Sequence, residues 1–171
     1  MPTKCIFLML LALLGMGNLW ASDAVVRLGF LVNFARFTEW PESVLRNGAP
    51  LQVCLAPGDA DMASQLVEVT HQPIHGHSVQ ARLVKQPDEV RDCNLLYLPA
   101  ELPDALMSWL SVANRVKALS IGDVPDLTSA GGMIELVLSG GRYYFNINLI
   151  AARQADLRIS TNLLRLARTV K

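Results

Sequence analysis

Apolar and polar residues follow several different periods along this chain, and each change of period marks an element. The first stretch has no period: Cys5 to Met16 is an apolar run broken only at Gly15 and preceded by Lys4. After Ser22 the spacing becomes helical, with Val26, Phe30, Phe34 and Phe37 recurring at intervals of four, four and three. Ser22 or Asp23 is available as the cap of this helix. Leu28, Leu31, Val32 and Ala35 widen its apolar surface, so it is expected either to be deeply buried or to bury a second face against another copy of the chain. Pro41 ends it directly after Trp40, because a residue preceding proline is pushed out of the helical region.

The period then shortens. Leu51 to Leu55 reads as a strand closed by Pro57-Gly58-Asp59, with a helix from about Asp61 to Val69 behind it. Val79, Ala81 and Leu83 alternate with Gln80 and Arg82, the pattern of a half-buried strand. Asn94 to Leu98 is almost continuously apolar, as expected of a central strand covered on both faces. Pro103 starts a helix through about Val112, and Val116 to Ile121 supplies another strand. Met133 to Leu138 and Arg142 to Ile147, joined by Ser139-Gly140-Gly141, form an expected hairpin. A last helix, capped by Ser160 or Thr161, is expected to carry Leu163, Leu166, Ala167 and Val170 on one stripe. The fold class that follows is α/β: a three-layer sandwich with a mixed sheet, a parallel core and a C-terminal antiparallel hairpin.

The apolar run at the start changes the picture of where this domain works. It is too short for the roughly 20 residues of a membrane-spanning helix and is followed by small residues, so residues 1–24 read as a secretory signal peptide cleaved after Ala21 or Ala24. Residues 25–171 then form one domain, exported to the periplasm and without a membrane insertion of its own. The chain holds 15 Lys and Arg against 15 Asp and Glu. Removal of Lys4 and Asp23 with the leader leaves 14 minus 14, or zero, and a neutral domain without basic runs has no electrostatic footprint for nucleic acid. Cys5 leaves with the leader, and Cys54 and Cys93 remain. In an oxidising compartment this pair is expected to form a disulfide, worth roughly 4 kcal/mol from the loop it closes. The alternative is two buried free thiols. If their strands lie side by side in parallel, the bridge needs a staggered register.

Catalytic patterns are missing from the sequence. His71, His75 and His77 cluster, but no Asp, Glu or Cys lies among them and Pro73 with Gly76 makes the segment turn-like, so no metal site is expected. There is no Gly-x-Ser-x-Gly elbow around Ser120 or Ser129. The carboxylate pairs Asp59 with Asp61 and Asp88 with Glu89 fall at helix starts, where they satisfy free amide groups. Gly131-Gly132 precedes a strand rather than a helix and is expected to serve a positive φ or a close approach, not a phosphate. Asn33 and Asn148 sit in apolar surroundings, where a structural role at a bend or cap is expected. The expectation is a non-enzymatic chain with no catalytic residue and no cofactor.

The ordered set Asn33-Phe34-Ala35-Arg36-Phe37-Thr38-Glu39-Trp40-Pro41, the pair Cys54 and Cys93, Gly131-Gly132-Met133-Ile134, Gly141-Arg142 with Phe145-Asn146-Ile147-Asn148, Ala151-Ala152-Arg153, and Ile159-Ser160 before Leu163-Leu164-Arg165-Leu166-Ala167 resembles the YfiR/HmsC-like periplasmic family. The resemblance implies a dimeric α/β domain that restrains a membrane-bound diguanylate cyclase through its periplasmic part, and so controls cyclic-di-GMP signalling and biofilm formation. It also implies the Cys54–Cys93 disulfide, while a second cysteine pair present in some members has no counterpart here. Tyr and Arg are favoured interface anchors, and Tyr144, Asn146 and Arg153 are the expected partner-binding residues. The other function classes are a periplasmic small-ligand module serving a different sensor, which would need a closed apolar pocket, and an enzyme, which would need titratable groups gathered in one cleft.

Overall fold

The computed structural model describes residues 23–102 and 105–171; the expected leader up to Ser22 and the helix start at Pro103 lie outside them. The first half holds α1 (Asp23–Arg36), β1 (Thr38–Glu39), β2 (Leu51–Leu55), α2 (Ala60–Gln65) running into a 3₁₀ turn at Leu66–His71, β3 (Val79–Leu83), a second 3₁₀ turn at Pro87–Asp92, and β4 (Leu95–Leu98). The second half holds α3 (Leu106–Val116), β5 (Leu119–Gly122), β6 (Ile134–Ser139), β7 (Arg142–Ile147), α4 (Leu149–Gln154), β8 (Arg158–Ile159), α5 (Thr161–Leu166) and β9 (Thr169–Val170).

Seven strands form one sheet in the order β3-β2-β4-β5-β6-β7-β9. The run from β3 to β6 is parallel, β6 and β7 pair antiparallel, and β9 adds in parallel to β7. β4 shows why the central sequence lost its alternation: Leu95 and Tyr97 enter the core under α1, while Leu96 and Leu98 enter a second core with Trp109 and Leu110 of α3. Helices cover both faces, so every side chain of the strand is buried. The architecture is the expected three-layer α/β sandwich with a mixed sheet and a C-terminal antiparallel hairpin. Gly140 and Gly141, both at positive φ, make the hairpin turn.

Cys54 and Cys93 are bonded, with Cα atoms 5.9 Å apart. No stagger of paired strands is needed, because Cys54 lies opposite Leu96 in the ladder and Cys93 belongs to the end of the Pro87–Asp92 turn rather than to β4. Both cysteines join the core on the α3 side.

Three local expectations are corrected, and one helix is added. The buried face of α1 is Ala24, Arg27, Leu28, Leu31, Phe34 and Ala35. Val26 and Phe37, assigned to the inner stripe, are 37% and 36% exposed. The sequence carries two interleaved apolar stripes, and the helix is turned so that Arg27 reaches buried carboxylates, which carries Val26 outward. The helix expected to Val69 tightens after Gln65 into 3₁₀ geometry. α4, which shows no full turn of helical periodicity, is set by its cap: Asn148 Oδ1 accepts the Ala151 amide at 2.9 Å. The last helix stops at Leu166, which is 71% exposed, and Val170 lies in β9 instead of on a helical stripe. The free edge of β7 wins this segment through Arg168 N–H to Phe145 O and Lys171 N–H to Ile147 O, at 2.8 and 2.9 Å.

Candidate functional site

Polar side chains gather in three places, and they differ in how far their charges are satisfied. The first lies at the carboxyl ends of the parallel strands. From β2 the chain moves outward to β3 and then returns to β4 on the other side, so the sheet has its topological switch point between β2 and β4, where open α/β sheets hold ligands. Here the space holds a side chain of the protein itself. Arg27, 8% exposed on α1, donates from Nη1 to Asp123 Oδ2 at 2.9 Å. The same nitrogen lies 2.6 Å from Asp59 Oδ2, and Arg27 Nε lies 3.1 Å from Asp23 Oδ2. These last two contacts have ion-pair distance without hydrogen-bond alignment, so their attraction is Coulombic. Tyr97 accepts a longer contact from Arg27 at 3.5 Å, and the Tyr143 hydroxyl donates to Asp23 Oδ1.

Local sequence places each member of this hub. Asp59 N-caps α2 through Oδ1, accepting Met62 N–H at 2.8 Å, which leaves Oδ2 for Arg27. Asp123 follows Gly122, where a Cβ would lie 2.2 Å from Leu98 O. That glycine lets β5 close on β4, and Asp123 N–H donates to Leu98 O. Burial alone would lower the Arg27 pKa, but Tyr97, Asp59 and Asp123 together raise it beyond its ordinary value. Burial pushes the Tyr97 hydroxyl well up, with Asp123 adding to the shift and Arg27 opposing it. The Tyr143 hydroxyl also rises, from burial and from its bond to Asp23. Such a hub is a closed internal lock. Arg27, Asp123 and the second role of Asp59 belong to no sequence motif. The signal in the sequence is one charge, Arg27, set among Val25, Val26, Leu28 and Phe30, with an acid four residues before it.

A second place is the cleft beside the two-stranded ladder of β1 and β8, which pairs Glu39 with Arg158. Glu39, Trp40, Pro41, Arg153, Asp156 and Arg158 line a space of about 430 Å³ there. Thr38 Oγ1 turns back to Phe34 O at 2.8 Å and ends α1. Trp40 Nε1 then donates to Asn94 O at 3.0 Å, pinning the Trp40-Pro41 corner to the start of β4. Lys117 takes the Asp156 carboxylate. Among the described residues, neither Arg153 nor Arg158 pairs with a carboxylate. Both guanidinium groups are exposed.

The third place is the outer side of the hairpin. Tyr144 is 39% exposed, with the Arg168 guanidinium 5.5 Å from its ring centre. Asn146 Oδ1 accepts from Thr169 Oγ1 at 2.8 Å. Tyr144 and Asn146 therefore stand together along β9, while Arg153 stands in the cleft of β1 and β8.

The remaining sequence candidates have structural roles. His75 Nε2 lies 3.1 Å from Thr38 O and His77 Nδ1 2.7 Å from Ala49 O, tying the β3 approach to neighbouring loops, and His71 sits beside Glu68. Among the described residues, no three His, Cys, Asp or Glu side chains form a metal-holding group. Ser120 Oγ accepts Met133 N–H, and Ser129 accepts from Lys171. Gly131 takes a positive φ, and a Cβ on Gly132 would lie 2.5 Å from Leu127 Cγ, so this pair serves backbone approach. Asn148 caps α4 and donates to Thr128 O. Asn33 is exposed instead, lining an open groove of about 590 Å³ with Val25, Leu28 and Val32 on one side and Val69 on the other. No described helix is long and apolar enough to cross a membrane.

Solved structures with this fold include the following two. A conserved domain protein from Vibrio cholerae O1 biovar El Tor aligns at TM-score 0.55 and 15% identity over 87% of this chain. The ABC domain in complex with L-Trp from Streptococcus pneumonia aligns at TM-score 0.53 and 11% identity over 82%. This chain spans about 60% of the length of each. The model of the YfiR/HmsC-like family matches residues 24–168, from the first turn of α1 to the residue before β9. By that match over nearly the whole described chain, the protein belongs to the YfiR/HmsC-like family.

Proposed function

We propose that this protein binds the periplasmic domain of an inner-membrane diguanylate cyclase and represses it, so that its loss raises cyclic-di-GMP and promotes biofilm. The family match over residues 24–168 carries this reading. Repression of this kind is a population shift: the regulator holds the cyclase by binding its inactive arrangement more tightly than its active one. The protein works as a homodimer in this reading, with the exposed apolar positions Val26 and Phe37 of the α1 region as the contact.

The partner surface uses Tyr144, Asn146 and Arg153. Among the described residues Arg153 and its neighbour Arg158 make no ion pair within the chain, which suits an acidic partner segment. The small-ligand reading loses its first location, because Arg27 occupies the switch-point crevice. Deleting the gene and measuring intracellular cyclic-di-GMP is the direct test. A rise that the wild-type chain reverses is expected; an unchanged level refutes the repressor reading. Co-purification of the cyclase's periplasmic domain with the wild-type chain, weakened by Tyr144→Ala or Arg153→Glu, tests the surface.

A further inference from the structure

Within the export reading, the sequence offers two bonds for leader removal, after Ala21 and after Ala24. We propose that the leader is cut after Ala21, so that the mature chain begins at Ser22; this rests on the periplasmic reading of the previous section. The folded domain uses both residues that the later cut would discard. Ala24 is 2% exposed and belongs to the core under α1. Asp23 holds Arg27 Nε at 3.1 Å through Oδ2 and accepts the Tyr143 hydroxyl through Oδ1, joining the start of α1 to β7.

A cut after Ala24 would leave Arg27 Nε buried without its carboxylate and would remove the acceptor of Tyr143. It would also vacate the core position of Ala24. In addition it would put the new ammonium group on Val25, at the positive end of the helix and without the acid that offsets it. A cut after Ala21 keeps Asp23 in the first turn and leaves Ser22, a residue type that caps helices, directly before it. The mature chain then carries 14 basic and 15 acidic residues, because Lys4 departs and Asp23 stays.

The test is to express the full chain, release the periplasmic contents by osmotic shock, and determine the N-terminal residue by Edman sequencing and intact mass. Ser22 as the first residue is expected. A chain beginning at Val25 overturns this inference and leaves the export reading intact, whereas a chain retaining Met1 in the cytosol overturns both. Asp23→Asn in the same full-length gene gives an independent readout. A mature protein that retains residue 23 should melt about 2–4 °C lower than wild type for the loss of roughly 1 kcal/mol. An identical melting temperature argues that residue 23 has been removed from the mature chain, as a cut after Ala24 would do, and so counts against the proposal.

Discussion

The Arg27 hub and the β1–β8 cleft are both rich in charge, yet they do opposite things. In the hub, Arg27 faces Asp23, Asp59 and Asp123 from three different parts of the chain and is almost wholly buried. In the cleft, Arg153 and Arg158 stand exposed, and the nearby Asp156 is taken by Lys117. Burial decides the difference. Removing a buried charge from its partners is strongly unfavourable, so the hub is committed to holding α1 over the strand ends. An exposed guanidinium costs little to leave unpaired in water, so the cleft arginines remain available to another molecule.

The sharpest way to break this comparison is Arg27→Met. It leaves three carboxylates crowded without a cation and should cost about 3–5 kcal/mol of stability, read by urea unfolding. A loss below about 1 kcal/mol would show that the hub is not a lock. Gly122→Ala comes next. Its Cβ would meet Leu98 O at 2.2 Å, so β4 and β5 must part and Asp123 must shift, for a cost of about 1–3 kcal/mol in the same assay.

The hub also predicts an alkaline limit. The Tyr97 hydroxyl has a raised pKa in the folded state, so its contribution is complete below the unfolded tyrosine value of about 10 and is lost as pH rises above it. Melting temperature should therefore fall above about pH 10, and Tyr97→Phe should reduce that slope. A slope identical in the two proteins would place the alkaline sensitivity elsewhere. The smallest stability effect belongs to the cleft. Arg153→Glu and Arg158→Glu should each change folding free energy by less than about 0.5 kcal/mol, while weakening capture of the cyclase's periplasmic domain. Destabilisation as large as that of Arg27→Met would make the cleft a second structural site.

Much of the fold was legible because burial leaves a periodic trace. The unbroken apolar run of β4 announced a strand covered twice, and the Ser139-Gly140-Gly141 turn announced the hairpin. The site was less legible for a physical reason. Asp59 reads correctly as a helix cap, but nothing near it in sequence says that its second oxygen meets Arg27. Residue type marks Tyr144, Asn146 and Arg153 as interface candidates, and type alone does not say that two lie along β9 while the third lines a different cleft.

What the sequence by itself determined is the order of elements, the layered α/β class, the cysteine pair suited to an oxidising compartment and the family, since each depends on local period, composition or ordered motifs. The tertiary structure decided which stripe of α1 turns inward, that residues 169–170 leave the last helix for the sheet edge, and that one arginine gathers acids from up to 96 residues away. Those choices rest on competition between partners distant in sequence: a buried charge must find its counter-ions and an open strand edge must find its hydrogen bonds, and only the folded chain brings them within reach.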